Sequence, residues 1–484
     1  MHYKRPALTA LGIALLLGGW AGLSVFIDSF ILPSPWHTLR DTLWLLSRRH
    51  TWVNIGISLM RVFVGFSVAF ACGTATGMLI GRREEAEMLC KPAILMIQGI
   101  PPILWAIPLI LILGNHPAAP ILVIAFICFP LITLTIAEGM KSVPRKLVEM
   151  LKIFAPGRIP QVREVIIPHL QPFFAASLKL GVMLGIKASV IAEYFGANNG
   201  IGFQIQVAYQ SLQVRRLFGW GLIFVLLILL FDLALSRLER YSRARTRQHR
   251  SSVSASNVRR EEFEQLQRLF LAARPCPPIA VEDVSFHYLK GQPVLQHINI
   301  AVQAHEIAII AGDSGKGKTT LLNLIAGLLR PTSGRITPPE QLGLIFQDDR
   351  FLPWRNNAWN VALPLIYQGY SVASALSFAG YLLDEVGLRG EELKFPEELS
   401  GGMKKRLAFA RCFARLPGAI LLDEPFTGLH KEARDLLWEK FFALLRLHPV
   451  PVVIVTHFPE EIEITEHRRL YQVSGNPATI VSQT

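Results

Sequence analysis

Acid is in short supply in this 484-residue chain: 36 Asp and Glu stand against 49 Lys and Arg, and charged residues of both signs amount to only 18%. A wholly soluble domain carries closer to a quarter of its residues as charges, so this composition argues against one. Cysteine is scarce too. Cys72, Cys90, Cys128, Cys276 and Cys412 are scattered with no CxxC pair, and three lie within or beside apolar stretches. That spacing excludes a disulfide framework or a zinc ribbon and predicts free thiols. There is no internal repeat and no extended low-complexity tract, which excludes solenoids and long tails.

What the chain does have is apolar surface: 51% hydrophobic residues and a mean hydropathy of +0.36. At least two modules are expected, one of them in lipid. A helix needs roughly 20 residues to cross about 30 Å of hydrocarbon. Runs of that length occur at Ala7 to Ile27, Val53 to Gly81, Pro92 to Leu113, Pro117 to Ala137, Phe173 to Phe195 and Leu217 to Leu235. The first resembles a signal peptide behind Lys4 and Arg5, yet it is long and lacks a small-residue cleavage pattern, so it is read as a retained membrane helix. Six crossings put the N-terminus and everything after Ser236 on one side.

The basic residues test that layout. Lys4, Arg5, Arg82, Arg83, Lys91, the cluster from Lys141 to Arg163 and the series from Arg237 to Arg250 fall on one side, while Arg40, Arg48, Arg49, Arg215 and Arg216 fall on the other. The richer side is cytoplasmic by the positive-inside bias. Much of the net charge of +13 is therefore topology, and nucleic acid is not expected as a partner. Residues 237–277 form a basic, Ser-rich linker with one amphipathic helix candidate at Glu261 to Ala272.

Beyond Pro278 short apolar runs alternate with helical ones: Ile279 to His287, Ile307 to Ala311, Leu342 to Phe346, Ala419 to Leu422 and Val452 to Thr456. This is the pattern of an α/β nucleotide-binding domain. The run ending at Ala311 leads into Gly312, Asp313, Ser314, Gly315, Lys316, Gly317, Lys318, Thr319 and Thr320, then into a helical stretch. Strand, glycine loop and helix come in the order that lets backbone N–H groups cradle phosphates. Lys318 supplies a cation for the β- and γ-phosphates of ATP, and the Thr319 hydroxyl a ligand for Mg²⁺. Asp423 and Glu424 follow the strand at Ala419 to Leu422. There Asp423 can hold Mg²⁺ and Glu424 can polarise the attacking water.

Between these motifs the chain reads Leu399, Ser400, Gly401, Gly402, Met403, and with this loop the domain resembles the ATP-binding-cassette ATPases. The resemblance covers nearly all of residues 279–473. It implies that Ser400, Gly401 and Gly402 pack on the nucleotide of an opposite subunit and that Tyr288 stacks on adenine. It also implies that Gln347 senses Mg²⁺ and touches the permease, and that His457 is the switch histidine. His430 stands where the family usually has Asp, His305 replaces a glycine, and Met403 resembles the form found in ATPases of nitrate, sulfonate and taurine importers. Residues Glu149 to Pro168 resemble, in part, the coupling loop of bacterial importer permeases. Stretches around Ser58 to Phe66, Gly99 to Pro108 and Ala192 to Gly202 are similar to permeases of the nitrate/sulfonate/taurine/bicarbonate family.

The expected fold class is therefore multidomain. Residues 1–236 form an all-α six-helix transmembrane permease with a coupling loop at about 142–171, and residues 278–484 form an α/β P-loop ATPase. Of the charges in or near spans, Arg61, Lys187 and Glu193 are candidates for the translocation path; Lys179 and Asp232 read as interfacial. The resemblance implies import of a small solute across the inner membrane by a homodimer served by an extracytoplasmic binding protein. A half-size exporter and an ATP-binding regulatory subunit are the alternatives.

Overall fold

The computed structural model describes residues 4–114, 116–249, 260–272, 277–289, 291–303, 306–337, 341–457, 459, 468–475 and 477–483. Cys276 and His305 lie outside them; Cys72, Cys90, Cys128 and Cys412 are free thiols, as expected. The chain divides into two compact units, Met1–Val143 with His169–Ala244, and Pro144–Pro168 with Arg245–Thr484.

In chain order the helices of the first half are α1 (Lys4–Phe26), α2 (Pro35–Leu46), α3 (Arg49–Arg82), α4 (Glu84–Gly99), α5 (Pro102–Leu113), α6 (Ala118–Lys141), α7 (Arg145–Phe154), α8 (Arg158–Pro160), α9 (Ile167–Gly196), α10 (Ile201–Gln210) and α11 (Val214–His249). A π-helical turn, Gln161–Ile166, joins α8 to α9. Among the described residues four helical stretches are long and apolar enough to cross a membrane: Arg49–Arg82, Ala118–Lys141, Arg158–Gly196 and Val214–Leu238.

One of the six expected spans is bent. Pro92 to Leu113 is not one straight helix: α4 and α5 meet at 94°. The cause of the bend is local. Pro101 lacks an N–H and its ring disfavours a helical Ile100, which adopts φ −79°, ψ 125°; Pro102 then starts α5 at a position that proline favours.

The first unit is organised around α3 and α6. Val62, Phe66 and Ala69 of α3 are buried with Ile124, Ile132 and Ile136 of α6. Lipid tails are as apolar as leucine, so helices associate in membranes through close packing of small residues. A Cβ on Gly65 would sit 2.7 Å from the Ile121 carbonyl oxygen, and one on Gly77 2.6 Å from that of Thr133. The two backbones meet only because those positions are glycine.

In the second unit α12 (Arg260–Leu271) buries Leu266 and Phe270 in the cassette core. Among the described residues the nine strands are β1 (Ile279–Leu289), β2 (Gln292–Val302), β3 (Ile307–Ala311), β4 (Ser333–Thr337), β5 (Leu342–Ile345), β6 (Ala419–Asp423), β7 (Val452–Thr456), β8 (Arg468–Gly475) and β9 (Ala478–Gln483). Their order is β4-β1-β2-β9-β8-β3-β7-β6-β5. The run β8-β3-β7-β6-β5 is parallel, and β3, β5, β6 and β7 are buried at every residue. Helices α13 (Lys318–Ile325), α14 (Asn357–Tyr367), α15 (Val372–Glu385), α16 (Gly401–Ala414) and α17 (Lys431–Leu447) complete the unit. Parallel strands buried on both faces read as continuous apolar runs, which is why four of the five expected strands match β3, β5, β6 and β7 within a residue.

Gly77→Val should force α3 off α6 and lower stability by about 1–3 kcal/mol, read as a fall in melting temperature in detergent. Gly56→Ala, where nothing lies within 4 Å of the added carbon, should leave it unchanged.

Candidate functional site

Central strand β3 runs out at Gly312, and the loop turns through Gly315 (φ 78°) and Gly317 (φ 81°). Those left-handed conformations favour glycine. Gly317 caps α13, whose first residues are Lys318 and Thr319. The Lys318 ammonium folds back on its own loop, donating to the carbonyls of Gly312 (2.6 Å) and Asp313 (2.7 Å). Burial pushes its pKa down, against the opposing pull of Glu424, Asp313 and Asp423.

Parallel pairing of β6 with β7 and of β7 with β3 carries Asp423 to the same end of the sheet. The Thr319 hydroxyl donates to Asp423 Oδ1 at 3.2 Å. Burial, with help from Glu424, raises the Asp423 carboxyl to about 6. Glu424, next in the chain, has φ 46°, a left-handed conformation costing a non-glycine residue roughly 1–2 kcal/mol; strain of this kind collects at functional sites. Its Oε1 lies 2.6 Å from His457 Nε2, and its Oε2 accepts from Gln347 Nε2 (3.1 Å) and Thr427 Oγ1 (3.2 Å). His457 Nδ1 lies 3.4 Å from Lys318 Nζ, and its Nε2 3.2 Å from Ser314 Oγ. These contacts fit a tautomer protonated on Nε2. The fold thus brings Ser314, Lys318, Gln347, Glu424 and His457 together from four separate segments.

Two clefts flank this cluster. One, of about 560 Å³, is lined by Gly312, Asp313, Glu424, Thr427 and His457 among others. Its neighbour, of about 550 Å³, is lined by Ser314, Gly315, Lys316, Val294, Pro477 and Tyr288. Tyr288 is 61% exposed, edge-on to Phe286, and its hydroxyl lies 3.2 Å from Thr320 Oγ1. Ser400, Gly401 and Gly402 line neither cleft. Ser400 caps α16 instead, accepting from Met403 N. His430 caps α17 without a side-chain hydrogen bond.

Sequence reasoning gave Lys405 and Thr427 no role. Lys405, 6% exposed, donates to the Gln347 carbonyl at 2.9 Å and so fixes the backbone that aims Gln347. Its only signal was its position two residues after Met403.

The segment Pro144–Pro168 belongs to the same unit as the cassette. Helix α7 buries Leu147, Met150, Leu151, Ile153 and Phe154. The Arg411 guanidinium lies between the rings of Phe154 (4.7 Å) and Phe351 (4.6 Å). Glu164 is 2% exposed; it accepts from Arg355 Nη2 (2.8 Å) and Tyr367 Oη (3.0 Å), while its carbonyl accepts from Trp354 Nε1 (2.8 Å). Glu149 pairs with Arg350 at 2.8 Å, and Asp348 with both Arg350 and Lys146. These acceptors and donors begin one residue past Gln347.

In the first unit Arg61 and Glu193 form an ion pair at 3.0 Å, 5% and 0% exposed. Arg61 also donates to the carbonyl and side chain of Asn199, Ser58 donates to Glu193, and the N–H groups of Gly200, Ile201 and Gly202 donate to Asn54, Ser58 and Glu193. The pair therefore ties α3 to the turn between α9 and α10. Lys187 is exposed and outside this network. Lys179 and Asp232, read as interfacial, are paired with each other at 3.0 Å; α9 and α11 bring them together, and neither charge stands alone in lipid.

Comparison with known proteins places residues 69–248 in the family of binding-protein-dependent transport system inner membrane components and residues 295–427 in the ABC transporter family. The cassette is 38% identical over 179 residues to the taurine import ATP-binding protein TauB of Escherichia coli O157:H7, covering 35% of this chain and 70% of that protein. It is 37% identical over 202 residues to that of Yersinia pestis, covering 40% and 79%. Among solved structures it is similar to the dimeric bacterial ABC transporter cassette MJ0796, with 27% identity, a TM-score of 0.37 and coverage of 40% and 93%. An inner-membrane component and an ATP-hydrolysing cassette thus share one polypeptide, and the chain belongs to the ATP-binding-cassette transporters, as a multi-pass inner-membrane importer subunit with a cytoplasmic ATPase.

Proposed function

We propose that this chain imports a small organic anion, taurine or a related sulfonate, working as a homodimer fed by a separate solute-binding protein. The observation that carries the substrate class is the identity of the cassette to taurine import ATP-binding proteins. The homodimer is supported by geometry. Ser400, Gly401 and Gly402 line neither cleft beside the phosphate loop, so a second copy is the simplest source of a signature loop for each nucleotide.

In this reading adenine lies against Tyr288, and the phosphates lie along Gly312 to Thr320, where Lys318 exchanges its two loop carbonyls for phosphate oxygens. The Thr319 hydroxyl and the Asp423 carboxylate fit Mg²⁺: both are hard oxygen donors, they are within 3.2 Å of one another, and Mg²⁺ takes few protein ligands beside phosphates and water. Gln347 completes that set. Bound Mg²⁺ would neutralise charge developing on the phosphates. Glu424, aimed by Gln347, Thr427 and His457, polarises the attacking water. Ser400, Gly401 and Gly402 of the second copy close the site. Closure moves Gln347 and the charged residues that follow it, and Glu149 and Glu164 carry that movement to the permease.

Purified protein in lipid nanodiscs, given its binding protein and taurine, should hydrolyse ATP faster than without ligand. Glu424→Gln should cut hydrolysis by about 10²–10⁴-fold while ATP binding persists. If no sulfonate stimulates hydrolysis or enters proteoliposomes, the substrate assignment falls.

The raised Asp423 pKa gives a pH dependence. Its carboxylate must be ionised to hold a cation, so kcat/KM should decline as pH falls through about 6. The sign for stability is opposite. A carboxyl raised in the folded state stabilises below its ordinary range and loses that contribution as pH rises through about 6. Asp423→Asn should therefore raise the nucleotide-free melting temperature at pH 7.5 while abolishing hydrolysis.

Arg355→Ala strands the buried Glu164 carboxylate. Removing one partner of a buried pair costs about 3–5 kcal/mol. Basal ATPase activity should survive while its stimulation by loaded binding protein is lost; retained stimulation would show that Glu164 carries no movement.

A further inference from the structure

Helix α2 has two apolar sides. Thr38, Thr42 and Leu45 are buried, with Leu45 among Ile55, Ile201, Trp220 and Ile223, so the helix is fastened beside the first turns of α3 and α11. Its other side leaves Trp36, Leu39, Leu43 and Trp44 between 42% and 70% exposed. Twelve residues span only about 18 Å as a helix, too short to cross hydrocarbon. An amphipathic helix of this kind, rich in Trp and Leu, lies along the interface.

Beside it is a cleft of about 670 Å³, lined by Arg40, Asp41 and Trp44 of α2, Arg215 and Arg216 at the start of α11, and Phe30. The guanidiniums of Arg48 and Arg216 lie 4.6 and 5.5 Å from the Trp44 ring centroid. Among the described residues no side-chain hydrogen bond or ion pair engages Arg40, Arg48, Arg215 or Arg216, and the cleft holds one carboxylate against three arginines. The location sharpens the point. Helix α9 leaves the coupling segment and α11 returns toward the cytoplasm, so the start of α11 and α2 lie at the extracytoplasmic boundary, where the positive-inside bias disfavours arginine. A cluster kept there against that bias, open and next to an apolar face at lipid depth, matches a molecule with an anionic head and an acyl tail.

We propose that this cleft binds the phosphate of an anionic phospholipid of the outer leaflet, with Arg40, Arg215 and Arg216 on the headgroup and the Trp36, Leu39 and Leu43 face of α2 along its chains. Each basic side chain near an anionic headgroup adds to the attraction, and salt screens it. The bound lipid clamps α2 to α11 and so fixes the outer end of the permease.

The test is native mass spectrometry of the full chain in detergent, titrated with dimyristoyl-phosphatidylglycerol or dimyristoyl-phosphatidylcholine, for the wild type and an Arg40→Gln/Arg215→Gln/Arg216→Gln variant. All three side chains are exposed, so the variant should fold, checked by unchanged basal ATPase activity. The wild type should hold one phosphatidylglycerol with roughly tenfold or greater preference, and a photoactivatable phosphatidylglycerol should label residues 29–46. The variant should lose both the bound lipid and the label. Equal retention by the variant, or labelling elsewhere, overturns the proposal. So does displacement of the lipid by inorganic phosphate at equal concentration, which would mark a free-anion site. Unchanged lipid binding with lost stimulation by the solute-binding protein would assign the arginines to a protein partner instead.

Discussion

One buried carboxylate fastens the segment between α6 and α9 to the cassette. Glu164 sits among Arg355, Tyr367 and Trp354 with almost no solvent. A buried charge is tolerable only when its partners are in place, so shifting the segment between α6 and α9 would leave Glu164 unpaired. A mobile contact would let the cassette close without moving anything. The apolar face of α7 and the ring–guanidinium–ring stack of Phe154, Arg411 and Phe351 add area around that single polar point. The same short stretch of backbone, 347–355, carries both Gln347, which reaches Glu424, and the arginines that reach Glu149 and Glu164. The contact to Glu424 and the contacts to the segment between α6 and α9 therefore share one stretch of chain.

The catalytic end obeys a related economy. Five parallel strands bring their ends to one edge, and the residues just beyond β3, β5, β6 and β7 supply the phosphate loop, Gln347, Glu424 and His457. Open α/β sheets bind ligands outside the carboxyl ends of their strands, and here the strained φ of Glu424 turns the chain sharply where β6 ends. Lys318 rests on carbonyls of its own loop, so the site keeps its cation satisfied before nucleotide arrives.

Within the lipid-facing unit the balance shifts from hydrophobic burial to fit. Glycines let α3 and α6 touch backbone to backbone, and two pairs of opposite charge meet across helices: Arg61 with Glu193 and Lys179 with Asp232. The Arg61 pair is consumed in closing the turn after α9. Its side chains are fully engaged, and their work is to hold the extracytoplasmic end of the bundle in one shape.

Much of this was legible in the sequence, because much of it is local. An apolar run of helical length, a glycine loop between strand and helix, and an acidic pair after a buried strand each depend on residues within a few turns of one another. Order along the chain then sufficed to single out Lys318, Thr319, Asp423 and Glu424 as candidates, and the fold carries them to one end of the sheet. The break between α4 and α5 was written there too, in Ile100-Pro101-Pro102, but hydropathy averages over such a break while the missing N–H does not. What only the tertiary structure decided were the partners separated by tens or hundreds of residues: Glu164 with Arg355, Arg61 with Glu193, Lys405 with Gln347, and the arginines of α2 with those of α11. Periodicity fixes which face of an element is apolar. Which charge meets which depends on packing that no local pattern encodes.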